Sequence, residues 1–196
     1  LWEKELRVPA GSDEFGFNAL PAGVRNEYTG FMDLKSSAQF WSSSEIDNVG
    51  AIYWGLLYDS RSFDKIYASK DDGASIRCIE NKVYPFREPP PPPRPKVIPQ
   101  VVNVQNKAVL TIHIGDQVWM AENLNYETET SVVFPEYNGK SHEKYGRLYA
   151  WEDAIDACPR DWRLPSEDDW NDLVAAAGDS ATAGTKLKAA RDWDKD

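Results

Sequence analysis

The first 84 positions carry their apolar and aromatic residues in short runs between turn residues, a pattern of strands and loops. Residues 40–44 (Phe-Trp-Ser-Ser-Ser) predict a short strand. Residues 51–58, rich in aromatic and branched side chains, predict a stronger one, and residues 74–79 alternate as a third. Gly11, Gly16, Gly23 and Gly30 punctuate this region as turns, and no helical stripe is seen in it. Beyond residue 100 the pattern changes. Residues 109–114 alternate, Gly115-Asp116 offers a two-residue turn, and residues 117–120 return, which predicts a hairpin. The period then lengthens to that of a helix over about residues 148–157. Leu148, Trp151, Ile155 and Cys158 fall on one face, and Pro159 stops it. A second helix is predicted after Ser166, with Asp169 placed to complete a capping box. Its stripe is Trp170, Leu173, Val174 and Ala177, and Gly178 ends it.

Between these regions lie eight of the chain's 13 prolines, in residues 85–99, five of them consecutive from Pro89 to Pro93. Proline fixes φ and lacks a donor N–H, so this run predicts an extended polyproline II rod. Residues 88–99, at ~3.1 Å each, reach roughly 35 Å. An inert spacer is the reading adopted, over a ligand for aromatic-lined adaptor grooves. The organisation is therefore 1–84, a linker at 85–100, and 101–196. The first part offers strands without helices, the last a hairpin and two helices with apolar stripes, and neither looks able to bury its own apolar surface.

Composition narrows the function classes. With 22 basic and 32 acidic residues the net charge is −10, which argues against nucleic acid as the main partner. No apolar run is long enough for a transmembrane helix, and 12% aromatic content argues against general disorder. The chain starts at Leu1 with no basic-then-apolar leader, so either a leader has been removed or the sequence is a piece of a longer precursor. Two cysteines, Cys78 and Cys158, read either as buried thiols or as one disulfide, and their spacing does not decide between them. Catalytic candidates are poor. His113 and His142 have no nucleophile near them in sequence and read as ordinary strand and surface histidines, and no phosphate-binding glycine loop is present. The acidic run 192–196, with Asp71-Asp72-Gly73 and Asp47-Asn48, has the oxygen ligands calcium favours. Without the glycine and distal Glu of a full loop, solvated turns are the preferred reading.

Several stretches resemble one family. Residues 114–126 (IGDQVWMAENLNY), 146–151 (GRLYAW) and 157–166 (ACPRDWRLPS) are similar to the opening of the Fibrobacter succinogenes major paralogous domain. Residues 13–23 (DEFGFNALPAG), 40–45 (FWSSSE) and 75–78 (SIRC) resemble its later part. The later part comes first here, so the order resembles a circular permutation whose missing junction would join residues 186–189 to 13–15. The resemblance implies an α+β fold like that of C-type lectins and the formylglycine-generating enzyme, split into two complementary halves by the proline-rich linker. It also implies a disulfide from the first helix of the family order to its last strand, Cys158 to Cys78, and hence export. The enzyme's reactive cysteine pair is not matched, since Cys78 stands alone in the late part, so its activity does not carry over. Calcium is used by some such folds and stays a minor expectation.

Two functional expectations follow. In a fold that pairs its first and last strands, a rod of this length is an awkward closure within one globule. The first expectation is therefore a secreted, non-enzymatic structural subunit. Its residues 1–84 would complete the domain begun by a neighbour's residues 101–196, giving a head-to-tail surface filament of copies of itself. Packing of the two parts within one chain would speak against it. The alternative is a self-contained, permuted surface adhesin or carbohydrate-binding module. Polysaccharide would then be its partner and Trp41, Tyr53, Trp54 and Tyr58 its stacking residues, unless these fill a strand core instead.

Overall fold

The computed structural model describes residues 11–81, 100–104, 107–135 and 141–194. Ten strands and four short helices occur among them, an α+β arrangement of antiparallel sheets with helices packed alongside. A ribbon of β1 (Val24–Asn26) and β2 (Gly30–Met32) leads into a sheet of β3 (Ser37–Glu45), β4 (Gly50–Leu57) and β5 (Asp64–Ser69), with β4 in the centre. A second sheet has the order β10-β6-β9-β8-β7. It is formed by β6 (Ile79–Glu80), β7 (Gln100–Val104), β8 (Lys107–Ile114), β9 (Gln117–Met120) and β10 (Trp162–Arg163). The helices are α1 (Ser141–Tyr145), α2 (Trp151–Ala157), α3 (Glu167–Ala177) and α4 (Ser180–Leu187).

The β3–β4 pair is covered on both faces. Ile52, Trp54 and Leu56 alternate toward one apolar cluster. Ala51, with Tyr53 packed alongside, faces the other, together with Trp41. This accounts for the near-continuous apolar run of β4, since a strand buried on both sides needs no polar face. The first cluster joins Phe17, Phe40 and Phe63 to Ile112, Trp119, Trp170 and Leu173. The second joins Trp41, Ile76 and Cys78 to Met120, Tyr149, Trp151 and Leu164. Each cluster thus draws residues from both sides of the proline-rich stretch of the same chain.

Completion of each globule by a neighbouring chain is therefore not what the structure shows: one chain closes on itself. The rod argument took the ends to be joined as neighbours. In the sheet, however, β6 and β7 are separated by β9 and β8, so three strand spacings of ~4.8 Å, about 14 Å, lie between them. Because β7 runs antiparallel to β6, the exit from Asn81 and the entry at Gln100 face the same end of the sheet. The proline-rich stretch itself lies outside the described residues.

The predicted hairpin is β8–β9, paired from Thr111↔Met120 to Ile114↔Gln117, with Gly115 at φ 58° in the turn. The strand at residues 40–44 lies inside β3, and residues 51–57 form most of β4. Two expectations change. The helix foreseen from Leu148 starts at Trp151, and Leu148 instead bridges Val132. Ile155 is 36% exposed, while Trp151, Ala154 and Ala157 face inward. Residues 74–79 do not form a half-buried strand: 74 and 75 make isolated bridges, 76–78 are irregular, 79 opens β6, and every one of them is buried. The α3 reading holds in full. Ser166 caps it, Asp169 closes the box, Trp170, Leu173, Val174 and Ala177 are buried, and Gly178 ends it.

Candidate functional site

The groups with unusual chemistry gather where the two sides of the chain meet. Cys78, just before β6, is bonded to Cys158 at the end of α2, with the Cα atoms 5.9 Å apart and 80 residues between them. The disulfide thus lies within one chain and spans the linker. Next to it, Arg77 is fully buried, and among the described residues no carboxylate is in direct contact with it. Its Nε donates to Asn123 Oδ1 at 2.9 Å and Nη2 to Asn18 O at 3.1 Å. Nη1 donates to Phe17 O and, at 3.2 Å, to Met120 O. The guanidinium carbon sits 4.5 Å from the centre of the Phe17 ring. Burial pulls its pKa down to about 9, against the opposing fields of Asp13 and Glu122. The acceptors come from residues 17–18 on one side of the linker and 120–123 on the other, so this side chain ties the two together.

Lys188 is a second buried cation. It is 1% exposed, and its Nζ donates to Leu57 O at 2.9 Å and Ser60 O at 2.6 Å. Burial lowers its pKa to about 8, with Asp59 pulling the other way. Around it the two end regions are laced by backbone bonds. Ser12 N donates to Thr185 O at 2.8 Å, Asp13 N to Lys188 O at 3.1 Å, and Ala189 N to Ala19 O at 3.0 Å. Beside this lacing opens a cleft of about 480 Å³, lined by Asp13, Asn18 and Leu20 from one side of the linker and by Lys144 and residues 189–192 from the other. Asp13 Oδ1 accepts from Asn18 N at 2.6 Å, and burial raises the pKa of its carboxyl against that bond and the Arg77 charge. Lys144 Nζ donates to Asp192 Oδ1.

The sequence-predicted stacking residues do not assemble into a platform. Trp41 and Trp54 are core residues at 0% and 5% exposure, the placement their strand pattern also allowed. Trp41 Nε1 donates to Tyr149 O at 2.7 Å, and its ring meets Tyr53 edge-on at 5.5 Å. Tyr53 is half-buried, which raises its pKa, and Tyr58 is half-buried as well. Among the described residues the aromatics most open to solvent are Tyr28 and Tyr67, at 87% and 66% exposure, with Tyr126 less so, and the strand pattern singled out none of them.

The acidic loops have internal work. Asp47 Oδ1 accepts from Val49 N and Gly50 N, closing the β3–β4 turn. Asp72 Oδ1 accepts from Asn26 Nδ2 and Glu27 N. Asp192 pairs with Lys144, and residues 195–196 of the acidic run lie outside the described residues. Among the described residues no group of three or more His, Cys, Asp or Glu side chains is placed to hold a metal ion. His113 stands exposed on β8, and His142 is half-buried on α1. No described helix is long and apolar enough to cross a membrane.

No curated protein matches the chain, and no solved structure does. One family model does, and its match starts within β8 and takes in β9, all four helices and the half of the cleft built from Lys144 and residues 189–192. Residues 112–196 match the model of the Fibrobacter succinogenes major domain family.

Proposed function

We propose that residues 11–81 are the complementary part of that same domain, carried in permuted order. On this reading the protein is a non-enzymatic extracellular module with a fold like that of C-type lectins and the formylglycine-generating enzyme. The observation that carries it is the seam itself: two apolar clusters and one disulfide, each shared by the two sides of a single chain. The bond joins the helix end and late segment that the resemblance implies, and a structural disulfide suits an oxidising compartment. The working form is then the closed monomer, a surface adhesin or carbohydrate-binding module, with Tyr28 and Tyr67 as its solvent-open aromatic surface. Gels of denatured native material, run with and without reductant, test it. A single band at the mass of one subunit is expected in both lanes. A ladder without reductant that collapses with it would instead establish disulfide-linked exchange between subunits and the head-to-tail filament.

A further inference from the structure

The cleft beside the end regions is built only when the chain is closed, because its walls come from both sides of the linker. Its charged lining is balanced: Asp13 and Asp192 against Lys144 and Arg191. These groups are not equally engaged. Lys144 and Asp192 neutralise each other. Among the described residues the exposed Arg191 guanidinium forms no ion pair, and the Asn18 side-chain amide makes no hydrogen bond. Asp13 spends one carboxylate oxygen on Asn18 N and leaves the other without a recorded donor. The walls also hold an unusual backbone. Of the six described non-glycine residues with positive φ, three line this cleft: Asp13 at 47°, Asn18 at 49° and Asp192 at 78°. Left-handed geometry at such residues costs energy and persists where the surroundings enforce it, as they do at ligand clamps. The volume, about 480 Å³, lies within the range of small-molecule sites.

We propose that this cleft binds a small zwitterion of the amino-acid or dipeptide class, its carboxylate on Arg191 and its ammonium group on Asp13 and Asn18. Guanidinium presents a planar pair of donors to a carboxylate, which makes Arg191 the natural anion contact. The partly buried Asp13 carboxyl gains most from a positive partner, because its hydration is already reduced. Among the described residues no aromatic side chain lines the cleft, which sets it apart from a sugar-stacking surface.

The test is an NMR titration of the full chain with glycylglycine, N-acetylglycine, glycinamide and glucuronate. Saturable shifts of the Asn18 and Asp192 amides with glycylglycine are expected, with at least about tenfold weaker binding of the two singly charged probes. Arg191→Ala is expected to weaken glycylglycine binding by about tenfold or more and Arg191→Lys to restore part of it. Both variants should melt like the parent, since Arg191 is exposed. Glycylglycine should raise the melting temperature of the parent but not of Arg191→Ala, as a ligand that binds only the closed form must. Absence of saturable shifts, tighter binding of glucuronate than of glycylglycine, or unchanged affinity in Arg191→Ala would each overturn the assignment.

Discussion

Lys188 shows how one side chain can set a pH dependence. Its ammonium is held by two backbone carbonyls and lies 5.2 Å from the Trp193 ring, yet burial brings its pKa to about 8. Below about pH 8 it is charged in the folded and unfolded chain alike, and the folded state carries the full cost of burying that charge. Between about pH 8 and the ordinary lysine value of 10.5, the unfolded chain binds more protons than the folded one, so this residue's contribution to stability rises with pH. Urea denaturation across that interval, with Lys188→Met as reference, should show the parent gaining on the variant as pH increases. A flat or falling difference would contradict the burial account. Neither Lys188 nor Arg77 was legible in the sequence. Arg77 sits in an alternating stretch where an outward-facing polar residue is the ordinary reading. What places it inside is a set of backbone carbonyls from residues 17, 18 and 120, which no local pattern reports. Trp41 and Trp54 were ambiguous for the opposite reason: an aromatic on a strand reads the same whether its sheet face is covered or open.

The elements with the fullest local signatures form where the pattern placed them, whereas the alternation at residues 74–79 misled because that segment is buried throughout. The α3 helix announces itself through a capping box, a four-residue stripe and a terminal glycine. The β8–β9 hairpin announces itself through alternation around Gly115-Asp116. By contrast, α4 (sequence SATAGTKL) has small residues and a central glycine in place of a stripe, and β7 sits beside the prolines. The glycine explains why α4 exists where it does. A Cβ at Gly184 would lie 2.2 Å from Ser62 O and 2.6 Å from Arg61 O, so the helix packs its backbone directly onto the segment before β5. In an exposed helix Gly→Ala adds up to ~1 kcal/mol of stability. Here the added methyl meets rigid backbone, and overpacking of that kind costs about 1–3 kcal/mol. Gly184→Ala should therefore destabilise by up to roughly 2 kcal/mol net, read from denaturant midpoints. A stabilised variant would show that α4 does not dock as closely as described.

At the scale of the molecule, chain order and contact order have come apart. Residues 11–19 are hydrogen-bonded to residues 185–189, Trp193 Nε1 donates to Ala19 O at 3.1 Å, and Asp194 N donates to Lys35 O at 2.8 Å, so the two end regions form one seam. The contacts that hold the core, the disulfide and Arg77 need the two sides to be present together, but none of them needs the linker between Asn81 and Gln100. A rearranged chain makes this a prediction: residues 100–194, a short glycine–serine connector, then residues 11–81. Closing a flexible loop costs free energy that grows only slowly with length, so moving the connection from one seam to the other changes stability little. The rearranged chain should form the Cys78–Cys158 bond, melt in one cooperative transition, and lose stability on reduction by about 2–5 kcal/mol, as the parent should. If it instead stayed expanded, or formed the bond only between chains, closure in the parent would depend on the proline-rich connection. The two sides would then not be complementary parts of one domain.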